Sequence, residues 1–252
     1  MEPYEYHTLF EFESFYWWYK SLHAILLDIL RELGVGMNSV VLDAGCGTGK
    51  NLVNITSSIT KYTFGFDLSL HTIPFWFKRG LKQVCLASIN NIPFPDDTFD
   101  VALSIDVLEA DEVNDKFAYS ELWRVVKPNG FIVLTVPAYK WLLTANHHKA
   151  VHASRRYDKQ TLCSLLNSRP ADIVRFTYLF ASIFPAIASY RLGMRYLSPS
   201  LEDSQSPRSE LHHLPTVLNK ILFWIVDLER RILKRIDMPF GSSFLAVVRK
   251  VS

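Results

Sequence analysis

The chain has 252 residues, of which 49% are hydrophobic and 21% are charged, and its mean hydropathy is +0.09. This composition supplies a large buried core and excludes a disordered or low-complexity protein. The length fits one large α/β domain with elaborations and disfavours two full domains.

The formal net charge of +2 hides an asymmetry along the chain. Residues 1–137 carry 10 Lys or Arg against 17 Asp or Glu, whereas residues 138–252 carry 17 against 8. A basic half can attract phosphates, anionic lipids or nucleic acid, or it can pair with the acidic half as a solvated face. Both interpretations stay open.

Targeting and redox signals point to the cytoplasm. The chain contains no uncharged apolar run of about 18 residues, so no spanning helix is expected. The start, MEPYEYHTLFEFE, is acidic where a signal peptide is basic, so secretion is not expected. Cys46, Cys85 and Cys163 lack disulfide or metal-ligand spacing and are interpreted as reduced thiols. No metal site is expected.

In chain order, residues 14–33 place apolar side chains at helical spacing and end at Gly34, which predicts an N-terminal helix. Short apolar runs then alternate with helical stretches and predict strands at 40–43, 62–67, 83–87, 100–106 and 131–137. Their near-continuous apolar character is typical of a parallel sheet, joined by crossover helices such as Val113 to Val126.

The C-terminal part is less regular. We expect a helix from Asp158 to Leu166, a strand at about 173–177 and a last strand at about 243–249. The predicted fold is α/β: a doubly wound, Rossmann-like, seven-stranded and mostly parallel sheet with an N-terminal helix and a C-terminal helical lid insertion. As one domain, the chain divides into an N-terminal cap (1–34), a core (35–177), an insertion (178–240) and a final strand (241–252).

Two parts of the insertion have recognisable character. Residues 198–213 are rich in serine and proline, which predicts a mobile loop. Pro215 opens an amphipathic, basic helix whose apolar side includes Leu218, Ile221 and Leu228. We expect that side to dock onto the domain as part of a lid; the alternative is that it lies on an anionic membrane surface.

The strongest chemical signal is VVLDAGCGTGKNL at residues 40–52, a strand, an acidic residue and three glycines before a helix. Glycines allow a tight turn and a close approach of a ligand to the backbone. The spacing departs from a dinucleotide fingerprint at Lys50 and from a P-loop at Asn51, which disfavours NAD and nucleoside triphosphates. Asp67, at the end of the next strand, adds a carboxylate suited to ribose hydroxyls, so the sequence predicts a cofactor site.

This string resembles motif I of the class I S-adenosylmethionine (SAM)-dependent methyltransferases. GFDLS (65–69), IPFPDDTFDVALSIDVLEAD (92–111) and ELWRVVKPNGFIVLTVP (121–137) agree in order, so the resemblance covers about residues 35–137. It implies SAM as cofactor and S-adenosylhomocysteine (SAH) as product. By this resemblance, the methionine end of SAM lies against Asp43, Gly45, Cys46 and Gly47, and the ribose against Asp67. The adenine lies against Leu68, Ser88 and Ile89, and Asp106 lies near the sulfonium.

Two positions depart from the family pattern. Ser88 stands where relatives usually have an Asp that contacts the adenine amine, so we expect that recognition to depend on its hydroxyl, the Ile89 backbone or water. Ala110 stands where relatives often have a histidine after Asp-Val-Leu-Glu, so any catalytic role of that histidine is absent.

A narrower resemblance reaches both ends of the chain. YWWYK (16–20), VPAYKWLL…HASRRYDKQTL (136–162) and DMPFGSSFLAVVRK (237–250) look like a bacterial methyltransferase subgroup (methyltransferase type 11-like) that acts on small molecules. The resemblance implies a bacterial enzyme associated with glycan, lipid or natural-product assembly and does not name the acceptor.

Candidate catalytic and acceptor-binding residues follow the fifth strand, whose loop should face the cofactor. His147 and His152 are candidate bases, with Asp106 orienting the donor, although each histidine can equally be an exposed loop residue. The candidate substrate-binding residues are Tyr16, Tyr19, Tyr139 and Arg156, for which core packing or surface solubility is the alternative.

The sequence therefore predicts a SAM-dependent methyltransferase acting on a nitrogen or oxygen atom of a small or amphiphilic molecule. An RNA methyltransferase is an alternative that the basic half permits, although nucleic acid is not the expected partner. A catalytically inactive SAM-binding partner protein is another, suggested by Ser88 and Ala110. The predicted location is the cytoplasm, and peripheral contact with a membrane is an alternative left open.

Overall fold

The computed structural model describes residues 1–143, 145–197 and 213–251, with the side chains of residues 145–147 and 194–197 outside the description. The described strands are β1 (Val41–Ala44), β2 (Thr63–Asp67), β3 (Val84–Leu86), β4 (Phe99–Ile105), β5 (Val126–Pro137), β6 (Ala171–Leu179) and β7 (Ser243–Lys250). They form one sheet in the order β3-β2-β1-β4-β5-β7-β6. All neighbours are parallel except β7, which is antiparallel to β5 and β6.

The described α-helices are α1 (Pro3–Phe12), α2 (Trp17–Glu32), α3 (Lys50–Ser58), α4 (Ile73–Lys78), α5 (Asp115–Val125), α6 (Ala145–Val151), α7 (Lys159–Leu166), α8 (Phe184–Leu197) and α9 (Thr216–Leu233). They cover both faces of the sheet. Val101 and Leu103 of β4 pack on the side of α2 and α9, whereas Ala102 packs on the side of α5 and α7. Burial on both faces explains why the central strands are apolar at consecutive positions. The predicted seven-stranded α/β fold is confirmed.

The N-terminal segment differs from the single helix predicted from residue 14. It forms α1 and α2, and the break between them lies at residues 13–16, where Tyr16 has an extended backbone and caps α2. Glu13, next to the break, is buried. Apolar periodicity did not predict α1 because this helix packs partly through aromatic contacts instead of a regular apolar stripe. His7 and Phe10 of α1 both contact the ring of Phe75.

The expected orientation of α9 is wrong. Its buried residues are Val226, Glu229 and Leu233, whereas the predicted docking side, including Ile221 and Leu228, is exposed. The helix is apolar around most of its circumference, so periodicity alone could not identify the docked face. The loop predicted at 198–213 falls, up to residue 212, outside the described residues.

Candidate cofactor and acceptor site

The candidate site lies at the carboxyl ends of β1 and β4. From β1 the chain continues to β2 on one side, and it later returns to place β4 on the other side of β1. This reversal of strand order creates a crevice at the carboxyl edge, the usual ligand position in open α/β sheets. The fold thereby brings together the glycine-rich segment after β1, the end of β2 and the segment after β4.

The glycine-rich loop has a backbone that side chains would disrupt. Gly45 has φ +81°, and a Cβ there would lie 2.6 Å from Val107 Cγ2. Gly49 has φ +83° at the N-cap of α3. Trp76 Nε1 donates a hydrogen bond of 2.8 Å to the Gly47 carbonyl. The loop is therefore held in one conformation, with Gly47 on its accessible side.

Two side chains are buried beneath this loop. Asp43 Oδ2 has no hydrogen-bond partner among the described residues, and burial raises the pKa of Asp43 to about 7, partly offset by a hydrogen bond from Asn51. Cys46 packs against Leu52 and Trp76, and burial raises its thiol pKa. Cys46 can thus contribute to a cofactor site through its backbone, whereas Asp43 holds unsatisfied acceptor capacity there.

Asp67 is positioned by backbone donors. Its Oδ2 accepts a hydrogen bond of 2.9 Å from Gly47 N and its Oδ1 accepts one of 3.0 Å from Ser69 N. Burial raises its pKa, and the backbone donors oppose that shift. Leu68 beside it is 53% exposed, an apolar surface suited to one face of a ring. Burial, and after it the charge of Asp67, raises the pKa of the Tyr6 phenol in α1 to about 12, and a hydrogen bond with Ser69 opposes this shift.

The two departures from the family pattern have structural partners. Ser88 Oγ accepts a hydrogen bond of 3.2 Å from Asn90 N, and its own hydroxyl hydrogen can still be donated. Ile89 is buried in the core, so its side chain is a structural residue. Ala110 pairs with Ala153 in an isolated antiparallel bridge, which fixes the segment after β4 to the segment after α6.

Carboxylates cluster beyond the end of β4. Asp106 has φ +52°, its N–H donates to Thr135 O at 3.1 Å, and Thr135 Oγ1 donates to Asp106 Oδ1 at 2.9 Å. Burial raises the pKa of Asp106 to about 6, while Thr135 and Arg156 lower it. Glu109 Oε2 is buried without a hydrogen-bond partner among the described residues, and burial together with Asp106 raises the Glu109 pKa well above its usual range. Burial therefore raises the pKa values of both acids, and the charge of Asp106 raises that of Glu109 further.

The structure places one candidate base, His152, and the nearby His148 beside carboxylates outside this cluster. His152 Nε2 lies 2.8 Å from Glu2 Oε1, and His148 Nε2 lies 3.1 Å from Asp111 Oδ2. Both imidazoles are substantially exposed. The side chain of His147 lies outside the described residues. These contacts tie the histidine segment to the N-terminus and to the loop after β4; the proposed proton-accepting role stays a prediction.

The consecutive aromatic residues at 16–19 divide between packing and the site. Trp17 and Trp18 both contact Phe180, with ring centroids 6.0 and 5.5 Å away, so they attach α2 to the body of the domain. Tyr19 is half-buried, and its pKa is raised by burial and then by nearby carboxylates, including Asp106. Tyr16 is buried against Phe12 and Trp17. Tyr19, whose ring packs on Trp18 and His23, is thus close enough to Glu13 and Asp106 for their charges to raise its pKa.

Tyr139 and Arg156 flank the same edge from the β5 side. Tyr139 stacks on Tyr178 with centroids 5.8 Å apart and planes at 17°, and it also contacts Phe184. Arg156 is buried, and its Nη1 donates to Ala138 O at 3.1 Å. Arg156 also lowers the pKa values of both acids of the cluster. Arg156 therefore offsets part of the cost of burying these carboxylates, and its part in substrate binding stays a prediction.

A contact that the sequence did not reveal joins the N-terminal cap to the glycine-rich loop. Thr48 Oγ1 donates a hydrogen bond of 2.6 Å to Glu13 Oε2, and Arg79 forms an ion pair with the same carboxylate. Burial raises the pKa of Glu13 to about 7, against the opposing effect of Thr48 and Arg79. A Cβ at Gly47 would lie 3.6 Å from Leu9 Cδ2, so α1 passes directly over the loop. Of the two buried glutamates near the site, Glu109 lies within a sequence motif that resembles the family, whereas no motif in the sequence identified Glu13 as a candidate site residue.

These residues fit SAM, which carries a sulfonium and an ammonium. The site edge holds a buried, unsatisfied Asp43 oxygen, and Asp43, Asp67 and Asp106 all have pKa values raised by desolvation. A cationic ligand stabilises the ionised form of such carboxylates and compensates the cost of their burial.

Comparison with known proteins agrees with this site. Residues 42–134 match the family described as "Methyltransferase domain". The segment includes the glycine-rich loop, Asp67 and the acidic cluster. This part of the chain is therefore similar to a methyltransferase domain over less than half of its length. The predicted SAM site lies within this matched segment.

Individual relatives of the methyltransferase domain differ in what they methylate. A tRNA (carboxymethyluridine(34)-5-O)-methyltransferase of Arabidopsis thaliana is 41% identical over 100 residues, which are 39% of this chain and 24% of that protein. A malonyl-[acyl-carrier protein] O-methyltransferase of Buchnera aphidicola is 26% identical over 186 residues, 68% of this chain and 72% of that protein. The chain thus spans about a quarter of the plant relative.

A similar fold occurs in a chain assigned as a methyltransferase, in complex with the Haloferax volcanii Trm112 methyltransferase activator. It matches with a TM-score of 0.60 and 15% identity, covering 92% of this chain and 91% of that chain. At this identity the match supports the fold alone.

Proposed function

We propose that the protein transfers the methyl group of SAM to a nitrogen or oxygen atom of a small or amphiphilic molecule. The observation that carries the proposal is the cap over the carboxyl edge: Glu13 and Thr48 join α1 to the glycine-rich loop, and Tyr19 of α2 lies near Asp106. A covered edge favours an acceptor small enough to enter it. We further propose that residues 1–252 act as one domain, located in the cytoplasm of a bacterium.

In this proposal, Asp43, the glycine-rich loop and Asp67 hold the cofactor, with Leu68 and Ser88 at its adenine. When bound, SAM supplies an electrophilic methyl group. The chain must then align the acceptor atom and exclude water, which accounts for most of the rate effect of such a site. Tyr19 and Tyr139 supply apolar ring surfaces for the acceptor.

Asp106 is the proposed proton acceptor for an acceptor amine or hydroxyl. Its pKa of about 6 makes it ionised at neutral pH and places it near the value that general-base catalysis favours. Thr135 fixes its orientation, and Arg156 limits the cost of its burial. Burial and the charge of Asp106 raise the pKa of Glu109 well above its usual range, which favours its protonated form as a hydrogen-bond donor beside Asp106.

An RNA acceptor is the second candidate function. The relative from Arabidopsis thaliana, named as a tRNA methyltransferase, and the basic C-terminal half both favour it. A basic face that binds phosphates makes affinity fall steeply with salt. An inactive SAM-binding partner is the third candidate, and the ionised, positioned Asp106 argues for turnover instead.

The test uses SAM labelled in its methyl group and extract divided into a small-molecule fraction and an RNA fraction. We expect label in the small-molecule fraction, with the product identified by mass. Label that appears only in RNA, and disappears after nuclease treatment, would support the second candidate. Binding of SAM without labelling of any fraction would support the inactive partner. D106N serves as the low-activity control.

A further inference from the structure

The outer face of α9 is apolar where a surface helix is normally polar. Its exposed positions are apolar apart from Thr216, Lys220 and Arg231. Val217, Ile221, Trp224 and Leu228 are 69%, 50%, 77% and 58% exposed. Their spacing of four, three and four residues places them in one stripe along the helix. Scattered exposed apolar residues are ordinary, but a contiguous stripe centred on a tryptophan marks an interaction surface.

Specific contacts on the opposite side fix this orientation of α9. Val226 and Leu233 are buried against the domain, and Arg230 forms an ion pair with Asp28 of α2. Asn219 accepts a hydrogen bond of 2.9 Å from Trp17 N and donates one of 2.9 Å to Phe15 O, at the junction of α1 and α2. The stripe therefore faces outward because the helix is anchored by its other side.

The exposed charged side chains of residues 216–236 are all cations. Lys220, Arg231 and Arg235 are exposed. The two carboxylates of α9 are directed elsewhere: Asp227 pairs with Arg230 and Arg231, and Glu229 is buried, accepting hydrogen bonds from the backbone N–H groups that follow Phe180. The exposed carboxylates beyond the two ends of the helix, Glu11 and Asp237, are paired with His213 and Arg175. An apolar stripe whose exposed charged neighbours on its own helix are cations is complementary to an anionic surface with an apolar interior.

We propose that the outer face of α9 docks onto an anionic lipid membrane. The stripe lies at the boundary between head groups and acyl chains, with Trp224 at the interface, and Lys220, Arg231 and Arg235 contact acidic head groups. Within the described ranges, no helix combines the length and apolar character that crossing a membrane requires, which agrees with a helix lying in the plane of the surface. Since α9 packs on α2, which carries Tyr19, docking holds the candidate acceptor site close to the membrane.

Vesicle flotation of the full chain tests this docking. The probes are vesicles of phosphatidylcholine alone and of phosphatidylcholine with phosphatidylglycerol. We expect the wild type to float with the anionic vesicles and to be released by salt. W224S/L228S should bind at least about tenfold more weakly, since burying one large apolar side chain changes an equilibrium constant by that order.

Two further variants separate the causes. F77S/F117S removes two large, exposed aromatic side chains on α4 and α5, away from α9, and should float like the wild type. K220Q/R235Q leaves the apolar stripe intact and should lose the preference for anionic vesicles, which keeps the test available if W224S/L228S fails to fold.

Several results would overturn the proposal. Wild type that floats with neither vesicle, or W224S/L228S that floats like the wild type, would show that α9 does not dock on lipid. A wild-type dimer in sedimentation that W224S/L228S converts to a monomer would assign the stripe to a second copy of the chain. Because methyl transfer is not measured, these results are independent of the proposed activity.

Discussion

Asp43→Asn removes a buried negative charge while keeping the size and shape of the side chain. Burial raises the pKa of Asp43 from its ordinary value of 3.8 to about 7. Each pKa unit corresponds to about 1.4 kcal/mol, so the ionised carboxylate costs the folded protein roughly 4 kcal/mol. This destabilisation applies to the protein without bound ligand, because Asp43 Oδ2 has no hydrogen-bond partner among the described residues.

The pH dependence follows from the direction of this shift. The folded protein keeps the Asp43 proton in a range where the unfolded chain has lost it, so wild-type stability falls as pH rises from about 4 to about 7. D43N has no carboxyl group at this position, so it lacks this pH-dependent loss of stability. Its free energy of unfolding should equal that of the wild type near pH 4 and exceed it by roughly 3–5 kcal/mol above pH 7. The variant should nevertheless bind SAH more weakly.

Urea unfolding at about pH 4.5 and pH 8, with and without SAH, measures both effects. The matched control is D172N, whose carboxylate is exposed on β6 and pairs with Arg249, and it should show no such pH-dependent gain. Equal stability of D43N and wild type at both pH values would refute the assignment of Asp43 as a strained, buried acid. Unchanged SAH affinity would refute its place in the cofactor site.

Three further predictions concern the acceptor side and the cap. Turnover should rise between about pH 5 and pH 7 as Asp106 ionises, and D106N should lower turnover about 10²- to 10⁴-fold while SAH affinity is retained. Full turnover of D106N would contradict this role of Asp106. The base would then be sought among the histidines with H147Q and H152Q. T48V removes the hydrogen bond that Thr48 donates to the buried Glu13 carboxylate, a loss of about 1–3 kcal/mol. T48V should therefore speed the hydrogen exchange of α1 and weaken SAH binding. Unchanged exchange would show that other contacts hold α1 in place. SAH should increase the hydrogen-exchange protection of residues 3–19, and equal protection with and without SAH would show that this cap does not close over the cofactor.

The sheet and the cofactor edge could be predicted because both depend on local sequence. Strands β1 and β4 are apolar on both faces, and the glycines at 45, 47 and 49 must follow a strand directly to form the loop. Asp67 was predictable because it ends β2, adjacent to β1. These features require only short-range patterns and the parallel order of strands.

The residues around the acceptor could not be predicted in the same way. Glu13 meets Thr48 across 35 residues, and His152 meets Glu2 across 150, so neither contact has a local signature. Helix α9 is apolar on more than one side, so the side that packs on α2 depends on long-range contacts. The Arg230–Asp28 ion pair favours the side that contains Val226 and Leu233, which apolar periodicity did not predict. Long-range pairing of polar groups decided these positions.

Calorimetric titration of SAH into wild type and D67A tests the cofactor assignment most directly. D67A removes the carboxylate at the end of β2 that accepts hydrogen bonds from Gly47 and Ser69. We expect micromolar binding to the wild type, about 8 kcal/mol, and binding at least about tenfold weaker to D67A. An absence of binding heat with the wild type across temperatures, or equal affinity of the two proteins, would contradict the placement of SAM at this edge of the sheet.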